Sequence, residues 1–347
     1  MPALPPRPDL DQLRHQAKEL LRAARAGQQE AVARLTAVSK NQTLAAAQLS
    51  VARGFGFASW PRLRLEVETR RALDAGDLSR LARLLAEQPS LTRSAMQHWS
   101  DHPQGVTPLG YVAMLRFDTH RHRWRDVAAT GATARTLLAA GVPVDGRGED
   151  PETPLITAAS YGDASVAVVL IEAGADLDRT AAEHAGGVPG GTALQHAAVF
   201  GMTEVVDLLV AAGAHVRSVE EAAAAGDLGG WLTGDTPADA KIRALVMAAD
   251  HQRLEVIDEL VRAGTPVDAV DPAFGRQPLR IAAANGRARS VERLLRHGAD
   301  PNLRDRDGRT PLDLCRLGRA ESTNAGGHDR VEAILGRLSG GDPHRRT

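Results

Sequence analysis

"RLLRHGADPNLRDRDGRTPLDL", residues 293–314, decides how this chain is read. It joins an amphipathic run to a Gly-Ala-Asp stop, a polar turn, and a Thr-Pro-Leu that starts something new. Thr before Pro is a helix start, because a Thr hydroxyl caps free backbone N–H groups and Pro is tolerated in the first helical turn. Gly298 suits a left-handed helix end. A stop, a turn and a start in one stretch describe the joint of a repeating unit.

The joint recurs. Similar triplets begin at Thr107, Thr153, Thr192, Arg243, Gln277 and Thr310, at intervals of 33 to 51 residues. Glycines that close a leucine-rich run stand at Gly174, Gly213, Gly264 and Gly298, each 21 residues beyond its triplet. Read at 153–174, one unit is a short Ala-rich helix ending at Gly162, then a second helix from Asp163 to Gly174. Neither could bury its apolar face alone, so the units must stack. Aromatics at 3% leave a core of Ala, Leu and Val, which suits closely packed short helices.

Residues 298–312, "GADPNLRDRDGRTPL", resemble the turn and helix start of the ankyrin repeat, and the resemblance extends over roughly 72–338. It implies an all-α, ankyrin-repeat α-solenoid of antiparallel helix pairs with projecting hairpin turns. It also implies a protein-binding scaffold or adaptor that uses hairpin tips and the concave first-helix face. The family's histidine after Thr-Pro-Leu is missing; Gly110, Ile156, Gln195, Val246, Arg280 and Asp313 stand there, with His196 one place late. The usual histidine network between repeats is therefore not expected.

Residues 1–71 read as a helical N-terminal cap of about four helices, with Trp60 packing beside Phe55 and Phe57. Its segment "AQLSVARGFGFASWPRL" resembles an element at the front of bacterial ankyrin-repeat proteins, which implies a bacterial source. The solenoid is expected over 72–338, with insertions at about 116–130 and 217–242 and a flexible tail at 339–347. The second insertion, with Trp231, reads as a shortened extra helix pair. Val331, Ile334, Leu335 and Leu338 form one apolar stripe of a C-terminal cap.

The first insertion region breaks the Ala/Leu background. Residues 98–124 hold Trp99, Tyr111, Phe117 and Trp124, together with His98, His102, His120 and His122. Arg121 and Arg123 add charge there. Aromatic and Arg residues on loops suit a recognition surface, so His98, Trp99, His102, Tyr111, Arg121, Arg123, Trp124 and Trp231 are the expected binding residues. The competing reading is a small-molecule binder or a noncovalent isomerase or cyclase, its pocket closed by the insertions. Tyr111, Asp118, His120 and His122 would then be its acid–base groups. A closed pocket lined by Trp99, Tyr111 and Trp124 favours that reading; an open groove favours a protein partner.

Other chemistry has little support. No metal and no cofactor is assigned, because the chain has no H-E-x-x-H, no paired cysteines and no Gly-Lys-Ser/Thr phosphate loop. Net charge of −1 argues against nucleic acid. No apolar run of membrane-spanning length occurs. Cys315, the one cysteine, reads as a buried, inert thiol in a reducing compartment, and the expected location is cytoplasmic.

Overall fold

The computed structural model describes residues 4–5, 8–96, 106–118, 121 and 123–339. His98, Trp99, His102, His120, His122 and the expected tail from 340 onward lie outside the described residues. Two compact units are present. The first comprises residues up to Val112 with Ala132–Pro143, and the second comprises Ala113–Gly131 with Val144 onward.

In the first unit, α1 (Leu10–Arg25), α2 (Gln29–Thr36) and α3 (Leu44–Gly54) pack on one another, and α4 (Trp60–Ala75) follows. Three of these four starts carry a side-chain cap. Asp9 accepts N–H bonds from Asp11 and Gln12 at 2.8 and 2.9 Å; Thr43 caps α3, and Ser59 caps α4 ahead of Pro61. Phe57 is buried, with Phe55 and Trp60 packed half-buried against the same core. Residue 71 falls inside α4, which ends at Gly76 in a left-handed turn. Next comes α5 (Leu78–Glu87), whose Leu81, Leu84 and Leu85 are buried as their helical spacing requires. Two further helices, α6 (Pro108–Ala113) and α7 (Thr130–Ala139), flank the first insertion.

The second unit is the repeat stack. Its pairs are α8 (Pro154–Ser160) with α9 (Ala164–Glu172), and α10 (Ala193–Val199) with α11 (Thr203–Ala211). After a lone α12 (Val219–Ala225) come α13 (Ala238–Asp250) with α14 (Leu254–Arg262), and α15 (Pro278–Ala284) with α16 (Ala288–Arg296). α17 (Pro311–Glu321) and α18 (Ala325–Ser339) complete it. The first helices form one row, α8–α10–α12–α13–α15–α17, each packed on the next. Leu155, Leu170, Leu194, Leu209, Leu279 and Leu294, from both helices of three pairs, are fully buried. Burying each such side chain contributes about 1.5–3 kcal/mol. Thr153, Thr192 and Thr310 accept the N–H three residues on, and Thr310 completes a capping box with Asp313. The second unit is thus a stack of short α-helix pairs, in which Thr caps open α8, α10 and α17.

Three features differ from the sequence reading. The triplet at Arg243 starts nothing: α13 begins at Ala238, because Pro237 sets the first turn and 238–243 are good helix formers. The second insertion is one helix rather than a pair. Gly226, at positive φ, ends α12, and no second helix forms before α13. Leu228 is the insertion's buried anchor, while Trp231 is 38% exposed. In α18, Val331 and Leu335 are fully buried, but Leu338, in the last turn, is exposed.

Histidines do bridge the units, from positions the family pattern does not use. His196 Nδ1 lies 2.8 Å from Ser160 Oγ of the preceding pair, and Nε2 lies 3.0 Å from the Val188 carbonyl. His251 Nε2 donates to the Ala198 carbonyl at 2.9 Å, with Nδ1 3.0 Å from Thr203 Oγ. His328 Nε2 lies 2.9 Å from the Ala284 carbonyl. Burial lowers the pKa of both His196 and His251, so each ring is held neutral.

Candidate interaction groove

The first insertion folds as a small hairpin. β1 (Phe117–Asp118) pairs antiparallel with β2 (Arg123–Trp124), Phe117 opposite Trp124 and Asp118 opposite Arg123. The Asp118 carboxylate accepts the Arg121 N–H at 3.1 Å. Directly opposed aromatics on a strand pair share one face. The Phe117 and Trp124 rings meet edge-on, centroids 5.1 Å apart, and both lie against Tyr161, at 6.2 and 6.5 Å. Arg116 donates to the Gly162 carbonyl and sits 3.8 Å from Asp126. The hairpin is therefore fastened to the α8–α9 turn, and its second strand lies against α17.

The turns between paired helices share a pattern. Tyr161, Phe200, His251 and Asn285 each close a first helix, followed by Gly162, Gly201, Gln252 and Gly286 at positive φ. These turns converge. Arg287 donates to the Gly201 carbonyl at 2.7 Å and lies 3.3 Å from the buried carboxylate of Asp250, to which Asn285 also donates at 2.8 Å. Arg253 donates to the Ala224 carbonyl at 2.7 Å and pairs with Asp207.

Convergence leaves a groove of about 510 Å³. Trp124, Tyr161 and Phe200 bring three partly exposed rings to it. Thr203, Glu204, Asn285 and Arg287 line it from the turns, and Glu321 to Asn324, with His328, line it from the α17–α18 corner. A second cleft of about 430 Å³ lies in the first unit, between Gln16, Glu19, Arg34 and Phe55.

The expected site residues that are described belong to both units. Tyr111 is buried in the first unit, its hydroxyl donating to Asp74 at 2.6 Å. Trp124 lines the groove in the second unit; Arg121 donates its N–H to Asp118, and Arg123 is exposed beside Trp124 on β2. Of the quartet Tyr111, Asp118, His120 and His122, the two histidines lie outside the described residues, and the described residues hold no cluster of metal-ligating side chains. Sequence reasoning missed Tyr161, Phe200, Glu204, Arg287 and Glu321. Aligning the units on their mid-pair glycines, rather than on their triplets, places Tyr161 and Phe200 in one column.

Hydrogen bonds link neighbouring hairpin tips. Asp145 accepts the Asp176 N–H at 3.0 Å, Asp178 the His215 N–H at 3.0 Å, and Asp268 the Asp300 N–H at 3.1 Å. On the 265–277 tip, Phe274 is 70% exposed, with the Arg276 guanidinium 5.6 Å from its ring centroid. At the base of another tip, burial pushes the Glu152 carboxyl up to about 7, opposed by the Thr157 hydroxyl 3.4 Å away.

Comparison with known proteins agrees with this architecture. A model of ankyrin repeats in three copies matches residues 127–220, and one of ankyrin repeats in many copies matches 260–315. Human 2-5A-dependent ribonuclease is 36% identical over 73 residues, covering 21% of this chain and 10% of that protein. Human Espin-like protein is 40% identical over 60 residues, covering 17% and 6%. Human ARF GTPase-activating protein GIT1 is 34% identical over 82 residues, covering 24% and 10%. The chain thus matches a tenth or less of each of these relatives. Among solved structures, the human ASB11 ankyrin repeat domain is 21% identical, with 79% of this chain and 98% of that one covered at a TM-score of 0.37. No helix among the described residues is long and apolar enough to cross a membrane.

Proposed function

Because this chain is an ankyrin-repeat protein, we propose that it binds a partner protein in the groove under the Phe117–Trp124 hairpin, with hairpin tips adding a second contact. Ankyrin repeats in general are protein-interaction scaffolds. The observation that carries the reading is the gathering of Trp124, Tyr161 and Phe200, from the insertion and two successive repeats, along one groove. Rings held this way by backbone contacts lose little entropy on binding, and aromatic anchors dominate interface energetics. Exposed Phe274 and Trp231 offer further contact points on other faces. The single buried Cys315 supports a reducing, cytoplasmic setting as part of the same proposal.

The test is affinity capture from a native lysate with the wild-type chain and with Trp124→Ala and Tyr161→Ala variants, read by mass spectrometry. The reading expects a protein retained by wild type and lost by both variants, since removing a central aromatic costs about 2 kcal/mol, roughly 30-fold in affinity. Equal capture by variants that fold normally would reject the groove as the docking site.

A further inference from the structure

We propose that the groove takes a basic segment of the partner, an extended stretch carrying Arg or Lys whose cation sits between the aromatic rings and two carboxylates. The inference rests on the groove reading above and adds the partner's chemistry.

Charge complementarity carries it. Four charged side chains line the groove: Arg116, Arg287, Glu204 and Glu321. Both arginines are committed. Arg116 donates to the Gly162 carbonyl and faces Asp126, while Arg287 is held by Asp250 and the Gly201 carbonyl. His328 has a carbonyl oxygen 2.8–2.9 Å from each ring nitrogen. Glu204 and Glu321, by contrast, are exposed and have no ion-pair partner among the described residues. The unspent charge of the groove is negative, and it stands on two walls.

The rings complete the site. Phe200 closes α10 just before Glu204 opens the next helix, and Trp124 belongs to the strand lying against α17, which ends at Glu321. An aromatic face attracts a cation within about 6 Å, and most strongly where water is excluded. An acidic segment would meet two unpaired carboxylates and no available cation. A wholly apolar one would bury those carboxylates without a partner, a desolvation cost nothing returns.

The probes are short synthetic peptide pools, random except for a central residue fixed in turn as Arg, Lys, Glu or Leu. Their binding to the full chain is read by fluorescence anisotropy. The Arg and Lys pools are expected to bind about tenfold tighter than the others, and the Glu204→Gln/Glu321→Gln double variant to remove that preference. Both positions are exposed, and a circular dichroism melt checks that the fold is kept. A preference for the Glu or Leu pool, or a basic preference indifferent to the double variant, overturns the inference. The two readings fail separately. If the preferred pool is Leu or Glu and Trp124→Ala abolishes its binding, the groove stands and the basic partner falls. If Trp124→Ala leaves the preferred pool's binding unchanged, both fall.

Discussion

The guanidinium of Arg287, opening α16, donates to the carbonyl of Gly201 in the α10–α11 turn, 2.7 Å away and 86 residues earlier. The same side chain meets Asp250, which is 3% exposed. One residue therefore ties three turns together beside the groove it lines.

Arg287→Ala should destabilise the chain by about 2–4 kcal/mol, because it removes a charge-assisted bond and leaves a buried carboxylate short of a partner. Arg287→Lys should restore only part, since an ammonium cannot serve both acceptors with the same geometry. Urea unfolding followed by circular dichroism measures both; an unchanged midpoint for Arg287→Ala would show that the tie carries no load.

Acidification should destabilise the repeat stack through His196 and His251. Their folded pKa values lie below the unfolded value, so the unfolded chain binds protons first as pH falls. The stability they contribute is complete above about pH 6.5 and declines below it. Melting temperature measured from pH 7.5 down to 5.5 should fall, and His251→Gln should flatten that slope.

Glu152 works in the opposite sense. Its carboxyl is pushed up to about 7, so the folded state holds a proton that the unfolded state releases near its ordinary value. Stability from this group is present in acid and lost as pH rises through 7. Glu152→Gln should stabilise the chain by about 3 kcal/mol at pH 8 and by little at pH 4. An equal effect at both pH values would reject the burial argument.

Gly318, on α17, lies against the Ala284 carbonyl of α15, so closely that a methyl group there has no room. Gly318→Ala should cost about 1–3 kcal/mol through overpacking, although Ala is the better helix former. A gain in stability would mean that α17 packs farther from α15.

Much of the fold was legible in sequence because local chemistry writes it. Thr153, Thr192 and Thr310 cap helices wherever Thr precedes a small or proline start, and Gly174, Gly213, Gly264 and Gly298 end them at positive φ. The start of α13 is not legible from the Arg243-Ala-Leu triplet, because Pro237, ahead of that triplet, sets the first turn. The hairpin escaped notice because strands of two residues have no periodicity to read. The groove was the least legible part. Trp124 was singled out by composition, but Tyr161, Phe200, Glu204 and Glu321 look ordinary until convergence of the turns brings them together. That convergence depends on contacts such as Arg287 with Gly201, which no local pattern records. Tyr111 drew attention for the same compositional reason as Trp124, yet its hydroxyl is spent on Asp74.

The central claim is that the hairpin strand Arg123–Trp124 lies against α17 and so walls a groove with it. Spin labels at exposed Arg123 and Glu321, with Cys315 replaced by Ser, report that separation by pulsed electron resonance. One narrow population at the short end of the measurable range is expected. A separation of roughly 40 Å, as intervening helix pairs spaced 8–10 Å apart in a straight row would give, would contradict it.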